Sequence, residues 1–126
     1  MDTSHTQDVI EIQDDRRFHD VRVGVAKICY RTVREAGHTL VELCSLRVPA
    51  AHRRKGAAKH ALSQFCAAAD RSGLEIVLLA SPLDVRTKLH RLVALYRHAG
   101  FETTGATGNL AGHPVMRRPL GGGPDL

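Results

Sequence analysis

The sequence predicts an α/β domain in which a mixed β-sheet is flanked by helices. Strand-like segments come first and are followed by alternating strand-like and helix-like segments, an order typical of helices packed on a mixed sheet. Residues 74–80 form a near-continuous apolar run, as expected of a strand covered on both faces. The 126 residues suit one domain that buries its own core.

The first half of the chain predicts strands separated by turns. A short apolar segment over residues 9–12 predicts one strand, and the valines and isoleucine of residues 21–30 predict a longer one. Residues 39–48 predict a third strand, which Pro49 ends because proline has no N–H to donate to a ladder. Turns are expected at residues 14–17 and 35–38.

Two segments of the second half predict amphipathic helices. A helix over residues 56–71 is followed by Gly73, and glycine is typical of the position just beyond a helix. A second helix begins after Asp84 or Thr87, either of which can cap it, and ends at Gly100. The expected buried faces are Leu62, Phe65, Cys66 and Ala69 in the first helix, and Leu89, Leu92, Val93 and Tyr96 in the second.

The remaining segments complete the expected domain. Strands are predicted over residues 101–104 and 114–118, and a glycine-rich loop over residues 105–112 joins them. The expected organisation is a loose terminus at residues 1–6, one domain over residues 7–119 and a flexible tail over residues 120–126.

The charge of the chain is basic and unevenly placed. The net charge is +5, although residues 1–20 hold six acids and two bases, so the remainder is strongly basic. Nucleic-acid binding is one interpretation of such a patch, but Trp is absent and aromatic residues make up only 4% of the chain, which disfavours it. A cofactor that carries several phosphates explains the same charge more economically.

The cysteines and histidines predict neither a disulfide nor a metal site. Cys29, Cys44 and Cys66 each fall within an apolar segment, so we expect buried thiols in a reducing cytosol. Their spacing, and that of the scattered histidines, fits no metal motif. No apolar run approaches the length of a membrane span, and the polar, acidic N-terminus is no secretory signal. A cytoplasmic protein with no membrane partner is expected.

A basic, glycine-containing turn lies between the third strand and the first helix. The start of a helix presents N–H groups without intrahelical partners and a partial positive charge, which suits phosphate. Small residues there let a ligand approach the backbone closely. By itself the turn is also compatible with a solvated helix start. It reads Arg53-Arg54-Lys55-Gly56-Ala57-Ala58, or R-x-x-G-x-A.

A second motif, L-Y-x-x-x-G-F at residues 95–101, makes the signal specific. In this order and spacing, the two motifs resemble the GCN5-related N-acetyltransferase (GNAT) superfamily, and the resemblance covers residues 39–118. It implies a GNAT-like mixed β-sheet flanked by helices. The family's N-terminal strand and two helices, which commonly help to form the acceptor pocket, are shortened here. A partner subunit that completes the pocket is therefore an expectation, and so is a homodimer, since dimers are common in the superfamily.

The resemblance implies transfer of an acetyl group from acetyl-CoA to an amine of a small molecule or a protein. The N–H groups of the turn would hold the diphosphate, and the end of the preceding strand would bond the pantetheine arm. One N–H there would also polarise the thioester carbonyl. The cofactor-binding residues implied are Leu46, Arg47 and Val48 in the strand, and Arg53, Arg54, Lys55, Gly56, Ala57 and Ala58 in the turn.

Two catalytic residues are implied in the same way. Tyr96 matches the tyrosine that protonates the departing CoA thiolate in the family. The alternative interpretation is that Tyr96 only packs in the core. Glu42 is the candidate general base, since histone-acetylating members carry a glutamate there. Glu42 and Leu46 lie four residues apart in one strand, so their side chains are expected on one face. Three alternatives remain open. Glu42 is a solvated or ion-paired acid, Glu75 is the base, or the protein has no dedicated base.

Two other functions remain open alongside the acetyltransferase. One is a catalytically inactive acyl-CoA-binding regulatory module, which the shortened N-terminal region favours. The other is a basic nucleic-acid-binding domain, which the charge favours and the low aromatic content disfavours. The acceptor amine is not encoded in any recognisable motif.

Overall fold

The computed structural model describes residues 10–53, 55–82, 88–108 and 111–120. These residues form a six-stranded sheet of order β1-β2-β3-β4-β6-β5 with two α-helices. Only β3 and β4 pair in parallel, so the predicted mixed sheet flanked by helices is confirmed. In chain order the elements are β1 (His19–Val23), β2 (Ala26–Glu35), β3 (His38–Arg47), α1 (Ala57–Arg71), β4 (Ile76–Leu79), α2 (Leu89–His98), β5 (Glu102–Thr107) and β6 (Pro114–Arg118).

The first three strands form an antiparallel meander. The single strand predicted over residues 21–30 is wrong, because Gly24 and Val25 form a turn that splits it into β1 and β2. Gly24 adopts φ +60°, a conformation that glycine reaches without a steric penalty. The apolar alternation continues across this turn, which hid it from the sequence pattern. The second turn, at Ala36 and Gly37, lies where it was predicted.

Two further boundary predictions are wrong. Residues 10–12, the described part of the strand expected over residues 9–12, are not in a strand. The loop expected over residues 105–112 starts later, because β5 continues to Thr107, which pairs with Pro114. The candidate caps Asp84 and Thr87, the terminus at residues 1–6 and most of the tail lie outside the described residues.

Helix α1 packs its apolar side on the sheet, as its periodicity predicted. Leu62, Phe65, Cys66 and Ala69 are all buried. The ring of Phe65 lies 5.6 Å from that of Tyr30 in β2, centroid to centroid. In α2 the predicted stripe also points to the core, although Tyr96 alone is buried and Leu89, Leu92 and Val93 are partly buried.

Both helices lie on one face of the sheet. In β2, Ile28 and Tyr30 turn towards the buried core, whereas Lys27 and Arg31 alternate to the opposite face. Arg118 of β6 shows that the helices share the core face, since it bonds to Asp70 of α1 and to the carbonyl of Ala99 at the end of α2. We call the opposite side, which bears Lys27 and Arg31, the open face, because no described helix packs against it.

The ion pair between Arg118 and Asp70 ties α1 to β6. The Arg118 side chain is only 8% exposed, and its two guanidinium NH₂ groups donate to the Asp70 carboxylate at 2.8 and 3.2 Å. We expect Asp70→Ala to lower the free energy of unfolding by about 3 kcal/mol, because it leaves a buried cation without its carboxylate.

Urea unfolding measures that loss, and Glu35→Ala is the control. Glu35 pairs with Arg117 at 3.1 Å on the surface and is 58% exposed, so its removal is expected to cost about 0.5 kcal/mol. Equal losses in the two variants would show that burial of Arg118 adds nothing to the pair.

Candidate active site

A cleft opens where β3 and β4 separate. The two strands pair only at three positions, from Val41 opposite Ile76 to Leu43 opposite Leu78. Beyond Leu43, the edge of β3 that faced β4 has no ladder partner among the described strands. The space left is a cleft of about 620 Å³. Its walls include Leu46, Arg47 and Val48 from the end of β3, together with Ala58, Leu79 and Tyr96.

The N-terminus of α1 meets this cleft. Gly56 precedes the helix with φ +79°, and the first intrahelical bond runs from the His60 N–H to the Gly56 carbonyl at 2.9 Å. The N–H groups of residues 57–59 therefore have no intrahelical partner. No acidic side chain lies in the first turn, and no side chain caps the helix. This helix start can accept an anion from the cleft.

Basic side chains surround the helix start. Arg53 lines the cleft and donates its Nε–H to the Val48 carbonyl at 3.0 Å, which ties the turn to the end of β3. Lys55 is exposed beside it. Gly56 and Ala57 adjoin Ala58 at the start of the helix, and Arg54 lies outside the described residues.

Tyr96 reaches the cleft from α2. It is 6% exposed and packs against Phe101, with 5.5 Å between ring centroids. Its hydroxyl makes no hydrogen bond to any described residue. Burial raises the pKa of this phenol to about 12, because the phenolate would be poorly solvated. Tyr96 therefore stays protonated at neutral pH and can donate to a negative atom in the cleft.

The family model for the acetyltransferase (GNAT) family matches residues 5–101, more than three-quarters of the chain. The chain belongs to the GNAT family. The match includes both sequence motifs and the helix start, strand end and tyrosine that meet at the cleft. No curated protein matches this GNAT sequence.

Solved structures share the GNAT fold. The anti-CRISPR protein AcrVA5 aligns with a TM-score of 0.62 and 22% identity, over 79% of this chain and 96% of its own. The ribosomal-protein-S18-alanine N-acetyltransferase of Escherichia coli aligns with a TM-score of 0.58 and 16% identity, over 86% of this chain and 72% of its own. Arabidopsis thaliana Naa50, in complex with the bisubstrate analogue CoA-Ac-MVNAL, aligns with a TM-score of 0.57 and 20% identity, over 76% of this chain and 66% of its own.

Glu42 is not among the residues that line the cleft of this GNAT domain, although its neighbours Leu43 and Cys44 are. A β-bulge shifts the register between Cys29 and Tyr30, so that Tyr30 pairs with Leu43 while Cys29 pairs with Ser45. The extra residue reverses the alternation along β3. Glu42 and Leu46 therefore point to opposite faces, and the expectation of a shared face is wrong. On the open face, Glu42 accepts a hydrogen bond from Arg31 at 2.7 Å.

The same bulge brings Cys44 into the cleft wall, which corrects the prediction of three buried thiols. Cys66 is buried, Cys29 is intermediate and Cys44 is exposed. Partial burial of the thiol, and then the negative charge of Glu42, raise the pKa of Cys44 to about 12. Cys44 is therefore accessible and yet a weak nucleophile at neutral pH.

Three further cleft residues were not predicted from the sequence. Arg22, Val25 and Lys27 come from the first hairpin and line the mouth of the cleft. The signal that locates them is the glycine turn at residue 24, since only a hairpin brings residues 22 and 27 together.

Metal and membrane features are absent from the parts of the chain that the structure describes. There, no group of three or more His, Cys, Asp or Glu residues is placed to hold a metal ion. Neither described helix has the length and apolar character needed to cross a bilayer.

Proposed function

We propose that this GNAT protein transfers the acetyl group of acetyl-CoA to an amine. The observation that carries the proposal is the convergence on one cleft of an uncapped helix N-terminus, an unpaired strand edge and a protonated tyrosine. Each of these suits a different part of the cofactor. Family membership and the CoA moiety of the analogue bound to Naa50 support the choice of cofactor.

The helix start and the strand end would hold the cofactor. The N–H groups of residues 57–59 suit the diphosphate, and Arg53 and Lys55 add full positive charges beside it. The free edge of β3 at Leu46, Arg47 and Val48 would pair with the amide groups of the pantetheine arm, as an added strand would.

The chemistry begins with attack of a neutral amine on the thioester carbonyl. The developing oxyanion would be stabilised by a backbone N–H at the end of β3. Collapse of the tetrahedral intermediate breaks the C–S bond, and the electron pair leaves with sulfur. Tyr96 would donate its proton to the thiolate, giving free CoA and an amide.

A base must remove the proton that the amine loses. A lysine-like amine has a pKa near 10.4 and is mostly protonated at neutral pH. Glu42 remains our candidate, although it must first leave Arg31, to which it is bonded at 2.7 Å. Deprotonation through water, without a dedicated side chain, needs no such rearrangement.

Calorimetric titration with acetyl-CoA at two salt concentrations tests the proposal, with dephospho-CoA as the control. We expect saturable one-to-one binding that persists at moderate salt. An amine panel with a free-thiol readout then measures transfer. Absence of binding would refute both the enzyme and the acyl-CoA-binding module. Tight binding without turnover on any amine would favour the module.

Cys44 provides an independent test of where the cofactor lies. Since Cys44 lines the cleft, bound acetyl-CoA is expected to shield it from iodoacetamide at alkaline pH. At about ten times the Kd, labelling should slow about tenfold, in proportion to the free fraction of the protein. Mass spectrometry of the labelled peptide measures the rate. Gly56→Glu is the control, because a variant unable to bind acetyl-CoA should show no protection.

A further inference from the structure

Three cations stand side by side on the open face. Arg22 of β1 lies directly opposite Lys27 of β2, which in turn lies directly opposite Arg47 of β3. All three are exposed. Neighbouring strands lie about 4.8 Å apart, so the row extends about 10 Å across the sheet. We call these three residues the cationic row.

Two of the three residues in the cationic row lack the carboxylates that compensate other cations on the open face. Arg31 pairs with Glu42 at 2.7 Å, and Arg117 pairs with Glu75 at 2.8 Å. In the row, Lys27 alone has an acidic neighbour, Asp20, at 3.9 Å. Arg22 and Arg47 make no ion pair with any described residue. Like charges directly opposite on adjacent strands destabilise a sheet, so this arrangement costs stability until an anion binds.

The row also borders the proposed active site. Arg22, Lys27 and Arg47 line the same cleft as Tyr96, and Val25, which is 40% exposed, adds an apolar contact beside them. Helix α1, whose N-terminus suits the cofactor diphosphate, packs on the other face of the sheet. The row therefore offers a second anion site, on the side of the cleft that the cofactor turn does not occupy.

We propose that the acetyl acceptor is an acidic peptide, whose carboxylates bind Arg22, Lys27 and Arg47 while its amine enters the cleft. This inference rests on the proposed acetyltransferase function and names its substrate class. The open face favours an extended peptide over a small molecule, since no described helix encloses the row. An extended peptide rises about 3.3 Å per residue, so a segment of about four residues spans the length of the row.

Fluorescence polarisation of labelled peptides tests the proposal without requiring turnover. The protein, saturated with CoA, is titrated against a peptide with glutamates near its free N-terminus and against the same peptide with glutamines. We expect the glutamate peptide to bind about tenfold more tightly. Lys27→Glu should abolish this preference. Arg34→Glu is the control: Arg34 is exposed on the same strand and lies on its other face, and the substitution changes the net charge equally.

The outcomes separate the inference from the proposed function. Equal affinity of the protein for the two peptides would overturn the acidic acceptor. An equal loss of affinity for the glutamate peptide in Lys27→Glu and Arg34→Glu would overturn it too, because such a loss would depend only on the net charge of the protein. Lys27→Glu should leave the Kd for acetyl-CoA unchanged. If it weakens acetyl-CoA but not dephospho-CoA, the row binds the cofactor's 3′-phosphate and the inference is wrong. Failure of the wild-type protein to bind CoA would refute the proposed function itself.

Discussion

Replacement of Tyr96 by phenylalanine is expected to slow acetyl transfer about a hundredfold, the range in which a positioned general acid contributes. The Kd for acetyl-CoA should stay within about twofold, since the aromatic ring that packs on Phe101 is retained. Stability should change little, because the hydroxyl has no hydrogen-bond partner among the described residues. Single-turnover kinetics and calorimetry measure the two quantities.

Tyr30 provides the matched control, since it is the other tyrosine of the chain. Its hydroxyl accepts a hydrogen bond from the Gln13 N–H at 2.9 Å and donates one to the Glu11 carbonyl at 3.3 Å. Tyr30→Phe should therefore lower stability by about 1 kcal/mol and leave the rate of transfer unchanged. Comparable slowing in both variants would assign Tyr96 a packing role instead.

The pH profile gives a second check on Tyr96. Because its pKa is raised to about 12, the phenol keeps its proton throughout the neutral and mildly alkaline range. The rate should rise with pH as the acceptor amine loses its proton. Loss of the phenolic proton should not lower the rate at any pH up to about 11. A falling limb near pH ~9 that disappears in Tyr96→Phe would contradict the pKa and its cause.

The second large effect is expected at Gly56, where Gly56→Glu should weaken acetyl-CoA binding by at least about a hundredfold. A carboxylate there would lie beside the helix N-terminus and repel the diphosphate. The side chain would also extend into open space at the helix start. Apart from the chain neighbours of Gly56, no atom lies within 4 Å of the position that a Cβ would take there. Calorimetry with acetyl-CoA measures the loss, and circular dichroism verifies the fold.

The control variant Gly73→Glu separates the effect of backbone strain from the effect on cofactor binding. Gly73 has φ +70° and equally open space around it, but it lies at the opposite end of α1. Both variants should lose about 1 kcal/mol of stability, because a side chain is disfavoured at positive φ. Only Gly56→Glu should lose the cofactor. Retained affinity in Gly56→Glu would refute the assignment of the turn to the diphosphate.

The helices and most strand boundaries were predictable because their signals are local. The apolar period of α1 and the glycine after it place its end, and the run before Pro49 locates β3 within one residue at each end. The turn and the tyrosine motif identified the family because both lie in continuous segments. These signals need no knowledge of which segments meet in space.

The features that the sequence did not predict depend on pairing between distant segments. The bulge at Cys44 leaves no mark in the sequence of β3, so Glu42 was wrongly expected to share a face with Leu46. The cationic row requires the register of three strands, and that register depends on the separation of β1 and β2 at Gly24. Arg118 and Asp70 are 48 residues apart, and nothing near either predicts the other.

The bulge in β3 divides one strand into two segments whose side chains alternate in opposite phase. Up to Leu43 the side chains follow one phase, which builds the core, and from Ser45 they follow the opposite phase, which meets the cleft. Mutations on the cleft side therefore leave the phase of the core unchanged. Removal of Cys44 would rejoin the phases and exchange every cleft-facing side chain beyond it, so the lining of the cleft depends on the length of this strand as well as on the residues in it.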